Sequence, residues 1–250
     1  MSNDGKKLSI LGHLVELRKR LVRSLIAVVI TSILSFVFYQ RIFDILIRPL
    51  PQGISLIFIE ITEMLGTIMR VCLGAGIILA IPYLTYELIM FVSPALTRKE
   101  KRYVYLILPW VSLMFAAGVV FAYFILIPRM IGFLLTFGSD IAVPQIRIGN
   151  YISFVTRLLL VIGLVFEMPV LTTFLSRLGV LKSKWLADKR RAAIIIAFVL
   201  AAIITPTIDP INQSLVAVPL IILYEMSIWL AKLVQRKAPR VVGVSSTPVS

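Results

Sequence analysis

Apolar residues arrive in long unbroken runs, not in the half-apolar stripes of helices that face water, and blocks of charge or Pro and Gly separate them. A hydrocarbon core about 30 Å thick takes about 20 apolar residues per spanning helix, which makes runs of that order candidates to cross a bilayer. Six are present: Leu21–Tyr39, Thr67–Val92, Val104–Ile127, Tyr151–Ser176, Ala192–Thr205 and Ser214–Ala231. Long connections follow the first and third, with Pro49, Pro51 and Gly53 in one and Gly138 and Pro144 in the other. Short charged connections follow the second and fourth. The pattern predicts an all-α polytopic membrane protein with six transmembrane helices, its membrane domain spanning 1–237. Residues 238–250 read as a flexible C-terminal tail without apolar periodicity.

The fifth and sixth helices are expected to be short. Ala192–Thr205 offers 14 residues before Pro206, about 21 Å of helix. Two readings stand. Either the bilayer thins and neighbouring helices tilt around a short span, or the helix continues through Pro206, since proline is tolerated in membrane helices.

Charge sets the orientation. The chain is 59% hydrophobic and 15% charged, against about 25% charged in a soluble domain. A net charge of +14 raises nucleic acid as a partner, but the basic residues sit between apolar runs without interleaved stacking aromatics. Of the 26 Lys and Arg, 20 fall on one side of the alternating spans: in the tail through Arg23, around Arg98–Arg102, over Arg177–Arg191, and at Lys232, Arg236, Lys237 and Arg240. Arg41, Arg48, Arg70, Arg129, Arg147 and Arg157 make up the rest. The positive-inside rule then puts both termini in the cytoplasm, as an even number of spans requires. The run after Arg23 lacks the small-residue cleavage site of a signal peptide and reads as a retained first span. Cys72 and His13 are single, which gives no disulfide framework and no metal-ligand set. No phosphate loop and no nucleophile, base and acid set is present, so neither an enzyme nor a cofactor protein is expected.

Acidic residues are few, and each has two readings. Glu16 stands four residues before Arg20, as in an ordinary helical ion pair, yet it is also an isolated carboxylate able to take a cationic ligand. Thr97-Arg98-Lys99-Glu100 has the form of a capping box, with Glu100 in the same double position. Glu167, near the middle of the fourth run, costs about 2.5 kcal/mol or more to insert unless partnered. A purely structural partner would be a neighbouring Thr or Tyr. Glu87 and Glu225 each follow a tyrosine and read as interfacial.

Four segments in this order resemble the TatC family of the twin-arginine protein translocase: His13-Leu14-Val15-Glu16-Leu17-Arg18-Lys19-Arg20-Leu21; Phe91-Val92-Ser93-Pro94-Ala95-Leu96 with Glu100-Lys101-Arg102; Gly163-Leu164-Val165-Phe166-Glu167-Met168-Pro169; and Thr205-Pro206 with Asp209, Asn212 and Gln213. The resemblance implies a concave, glove-like bundle in the cytoplasmic membrane of a prokaryote. It implies a receptor for twin-arginine signal peptides and the core of a translocase that exports folded proteins on the proton motive force. Glu16 and Glu100 would read the two arginines, with Arg18, Phe91, Pro94 and Leu96 around them. A guanidinium offers paired donors that fit a carboxylate in a way lysine cannot reproduce. Glu167, Thr205 and Gln213 would form an intramembrane polar site for single-span partners related to TatA and TatB or for the inserted signal peptide. Pro49, Pro206 and Asp209 would shape the outer side, and the chain would assemble as a homo-oligomer within a larger complex in membrane lipid. Two rivals are a small proton-coupled secondary transporter built on Glu167, although the two halves show no self-similarity, and a scaffold for other membrane proteins, which leaves Glu16 and Glu100 without a purpose.

Overall fold

The computed structural model describes residues 4–51, 53–92, 98–137, 145–177, 179–205 and 209–237, and the side chains of 4–11, 13, 92, 98–106 and 236–237 lie outside that description. Pro94, Leu96, Pro206 and the tail 238–250 therefore fall outside the described residues. Five helical stretches are long and apolar enough to cross a membrane: Leu14–Val37, Glu63–Phe91, Ile107–Thr136, Ile148–Arg177 and Pro210–Gln235. They correspond to five of the six apolar runs. Here the end of the bundle that carries Arg20, Arg177 and Arg190 is the basic end, and the opposite one is the far end.

Helix α1 (Asp4–Val37) is the outermost span. Leu25, Ile26, Ile30 and Ile33 are exposed along it, which suits a helix whose outer face meets lipid. It leans on α3 (Glu63–Val92) through small residues. Thr31 Oγ1 donates to the Gly76 carbonyl at 2.8 Å, and a Cβ at Gly76 would stand 2.6 Å from Ser32 Cα. In lipid no hydrophobic force presses helices together, and close backbone approach of this kind supplies the contact. Between them, α2 (Tyr39–Ile47) is amphipathic and turns Phe43 and Leu46 inward. Its carbonyls accept from Tyr123 at Ile45 (2.6 Å) and from Tyr151 at Leu46 (2.8 Å). Pro49 lies half-buried in the turn that ends it.

The third span is longer than Val104–Ile127. Helix α4 (Arg98–Phe121) passes through a π-helical turn, Ala122–Leu126, into α5 (Ile127–Thr136). Pro128 is the cause: its ring would strike the carbonyl four residues back, and a widened turn relieves the clash without ending the helix. At the far end, β1 (Leu56–Ile57) pairs in parallel with β2 (Ile146–Arg147), so the two long connections are stitched together.

Helix α6 (Ile148–Phe166) is central, with Ile152, Val155, Leu158 and Ile162 buried. It runs parallel to α3 with matched contacts along its length, from Gly149 beside Glu63 to Thr156 against Gly74 and Glu167 beside Thr85. The chain breaks at Glu167 and continues as α7 (Met168–Arg177), because Pro169 has no N–H to give to the turn behind it. After the short α8 (Ser183–Asp188), α9 (Arg190–Ile204) has 15 residues, about 22 Å. It stops with Thr205 in an extended conformation, as a residue before proline favours, which excludes a helix running on through Pro206.

The expectation of a short sixth helix is corrected. Helix α10 (Pro210–Lys237) has 28 residues. Polar turns extend it at both ends: Asp209 caps the start by accepting from the Asn212 amide at 2.7 Å, and Lys232 to Lys237 carry the other end past the apolar run.

Gly76→Leu is expected to force α1 away from α3 and to cost about 1–3 kcal/mol in folding stability. Thermal unfolding in detergent measures this, with Gly132→Ala as the control, since nothing lies within 4 Å of a Cβ there.

Candidate functional site

At the basic end two helices, α1 and α3, bring acids and an arginine together. Arg20, on the inward face of α1, donates from Nη2 and Nε to Glu16 Oε1 at 2.6 and 3.1 Å. From Nη1 it donates to Glu87 Oε2 on α3 at 2.8 Å. Tyr83 Oη donates to the other Glu87 oxygen at 2.8 Å. Glu87 is buried, while the Glu16 side chain is 33% exposed. The interfacial reading of Glu87 is thus corrected: its carboxylate is a fully partnered anchor. The helical ion-pair reading of Glu16 holds in this structure, and the partial exposure leaves that carboxylate accessible from outside the bundle. Glu100 sits in the first turn of α4, at the same end, with its side chain outside the described residues. Arg18 is exposed one position off the inward face, and Phe91 is half-buried near the end of α3.

The intramembrane trio divides. Glu167 is buried and accepts from Thr85 Oγ1 at 3.3 and 3.4 Å. It is not at mid-span: Thr85 is two residues from Glu87 and seven from the end of α3, about 10 Å along the axis. Thr205 and Gln213 lie at the other end of the α9–α10 pair. Thr205 Oγ1 donates to Ala201 O at 2.9 Å, and Gln213 Nε2 donates to Phe198 O at 3.0 Å. Both add a side-chain donor to α9 carbonyls that the backbone already engages, Ala201 O also accepting from the Thr205 amide at 2.9 Å, and neither approaches Glu167. Beside Glu167, an apolar groove between α6, α9 and α10 is lined by Val165, Met168, Ala197, Leu220 and Tyr224. Glu225 pairs with Arg190 at 2.6 Å, partly exposed near the basic end, as an interfacial residue would be.

A second charged cluster at the far end was not legible in the sequence. Glu63, in the first turn of α3, accepts from Arg147 at 3.0 Å and from the amides of Ile59 (3.0 Å) and Gly149 (3.2 Å). Glu60 adds a contact to Arg147 at 3.2 Å. Hydrogen bonding to Glu63 raises the Arg147 pKa, so the guanidinium stays charged throughout the accessible range. Glu16 with Arg20 and Tyr83 with Glu87, each four apart on one helix, carry a local signal of partnership; Glu63 and Arg147 are too far apart in sequence to announce theirs.

The profile described as Sec-independent protein translocase protein (TatC) matches residues 12–219. The chain belongs to the TatC family. It is 39% identical over 235 residues to the Sec-independent protein translocase protein TatC of Carboxydothermus hydrogenoformans, covering 94% of this chain and 97% of that relative. It is 40% identical over 230 residues to TatC of Aquifex aeolicus, covering 90% and 95%. A crystal structure titled Twin Arginine Translocase Receptor- TatC superposes with a TM-score of 0.83 at 40% identity, covering 90% of this chain and all of that one. The polytopic all-α fold is therefore that of TatC, and membership favours a translocase subunit over a small secondary transporter.

Removing Glu87 takes away the buried carboxylate to which both Arg20 Nη1 and Tyr83 Oη donate, whereas removing Glu16 leaves Arg20 its better-buried partner. Glu87→Ala is expected to lose about 2–3 kcal/mol of stability and Glu16→Ala about 0.5 kcal/mol or less, read as unfolding midpoints in detergent.

Proposed function

We propose that this chain is the signal-reading core subunit of a translocase that exports folded proteins carrying twin-arginine signal peptides. It sits in the cytoplasmic membrane with both termini inside, the basic end being cytoplasmic, and draws on the proton motive force. The observation that carries the reading is the state of Glu16. Its carboxylate is held at the rim of the basic end, a third exposed, and already accepts two donors from one guanidinium fork. A site that holds the chain's own arginine in this way has the chemistry to hold an incoming one.

In this reading Glu16 and Glu100 take one arginine each, and Glu87 keeps Arg20 anchored when Glu16 changes partner. Arg18, Phe91, Pro94 and Leu96 flank the consensus. The apolar part of the signal peptide, or a single-span TatA- or TatB-type helix, lies in the groove beside Glu167. Thr205, Gln213 and Asp209 brace the α9–α10 turn, with Pro49 and Pro206 shaping the outer connections. One chain of this size encloses no passage for a folded protein, so transport requires several copies and their partners. The short α9 favours a thinned bilayer where they meet.

Glu16→Ala and Glu100→Ala are each expected to weaken binding of a twin-arginine peptide by about 1.5–3 kcal/mol while the protein stays folded. Titration of labelled peptide into protein in nanodiscs measures this, with a lysine-paired peptide as the comparison. Unchanged affinity in both variants, or equal binding of the lysine pair, removes the assignment.

A further inference from the structure

Arg70 and Arg157 lie inside the span of the bundle, away from both the basic end and the far-end cluster, and Arg129 stands at a similar depth on α5. Arg70 is seven residues into α3 and Arg157 nine residues into α6, about 10 and 14 Å along their axes from the far end. Both are exposed. Arg70 Nη1 reaches Ser153 Oγ on α6 at 3.3 Å, and Arg157, one turn after Ser153, donates from Nη1 to the Ile203 carbonyl at 3.2 Å. The two guanidiniums therefore bracket one face of α6, between α3 and the terminus of α9. No carboxylate among the described residues stands within ion-pair reach of either.

We propose that Arg70 and Arg157 form a binding site for the phosphate headgroup of an anionic phospholipid from the far-end leaflet, drawn below the ordinary level of that surface. Three observations converge on it. An exposed guanidinium at this depth is costly unless it reaches water or an anion. Helical side chains lean toward the N-terminus, which for α3 and α6 is the far end, so both forks point toward that leaflet. Finally, α9 ends at Ile204, about 8 Å short of a hydrocarbon core of ordinary thickness, and Arg157 donates to the Ile203 carbonyl in its last turn. The interface must dip there, and a phosphate with several acceptor oxygens can take donors from both forks at once. Next to Arg70, a groove between α1 and α3 lined by Ile33, Phe36, Met69 and Leu73 is apolar and open to the membrane, suited to an acyl chain. Two cations with no acid favour a lipid with net negative charge over a zwitterionic one.

The full chain, purified in uncharged detergent, is titrated separately with phosphatidylglycerol and phosphatidylcholine, and bound lipid is read by native mass spectrometry. Phosphatidylglycerol is expected to be retained at least about tenfold more tightly, and Arg70→Gln/Arg157→Gln together to abolish that preference. Inorganic phosphate at equal concentration is expected not to displace the lipid. Equal retention of the two lipids by the unmodified protein overturns the proposal even where the double variant does not fold. An undiminished preference in the folded double variant, displacement by phosphate, or crosslinks from both positions to an acidic single-span protein in place of lipid would also overturn it.

Discussion

Within hydrocarbon, a polar group without an internal partner has nowhere to turn, and the pairing of α3 with α6 answers that constraint along its whole length. At the far end, the Glu63 carboxylate gathers Arg147 and the amides of Ile59 and Gly149. In the middle, Gly74 lets the side chain of Thr156 approach without a Cβ in the way. Toward the basic end, Thr85 meets Glu167. The same α3 then offers Gly76 and Glu87 to α1 on its other side. One helix thus sets the position of the first span and the fourth, and with them the residues of the basic end.

In the proposed reading, that arrangement is what lets an acid among many bases take a cation. Net charge at the basic end opposes the binding of another arginine, and only local geometry reverses the sign. Glu87, itself held by the Tyr83 hydroxyl, accepts from one edge of the Arg20 guanidinium, so the positive charge nearest to Glu16 is fixed in direction. Arg18 meanwhile points away from the inward face. A carboxylate whose cationic neighbours are pinned or turned outward keeps a usable potential on its open side.

The spans were legible because apolar length in lipid is a crude and strong signal: five of six runs became long helices, and the sixth became α9. Misjudged features came from contacts distant in sequence or from chain ends. The third span outran its expected stop because Pro128 was absorbed by a π turn. The last helix grew beyond its apolar run through Asp209 capping and a basic final turn, neither of which a search for apolar runs rewards. Glu87 looked interfacial from its tyrosine neighbour, and its burial depends on Arg20, which lies 67 positions away. Thr205 and Gln213 were grouped with Glu167 on the family resemblance, whereas the direction of the chain separates them.

The contrast between α9 and α10 shows why these two neighbours are not interchangeable. Both leave from the same turn, but one has 15 residues and the other 28. A bilayer of uniform thickness can match only one of them. Since α10 packs against α7 and α8 while much of α9 presents Ile195, Ile196, Val199 and Ile203 outward, the adjustment falls on the lipid beside α9. Arg157, bound to the carbonyl at that recessed end, converts a mismatch of length into a local demand for negative charge. Geometry at the far side of the bundle and electrostatics within it are consequences of the same missing turns of helix.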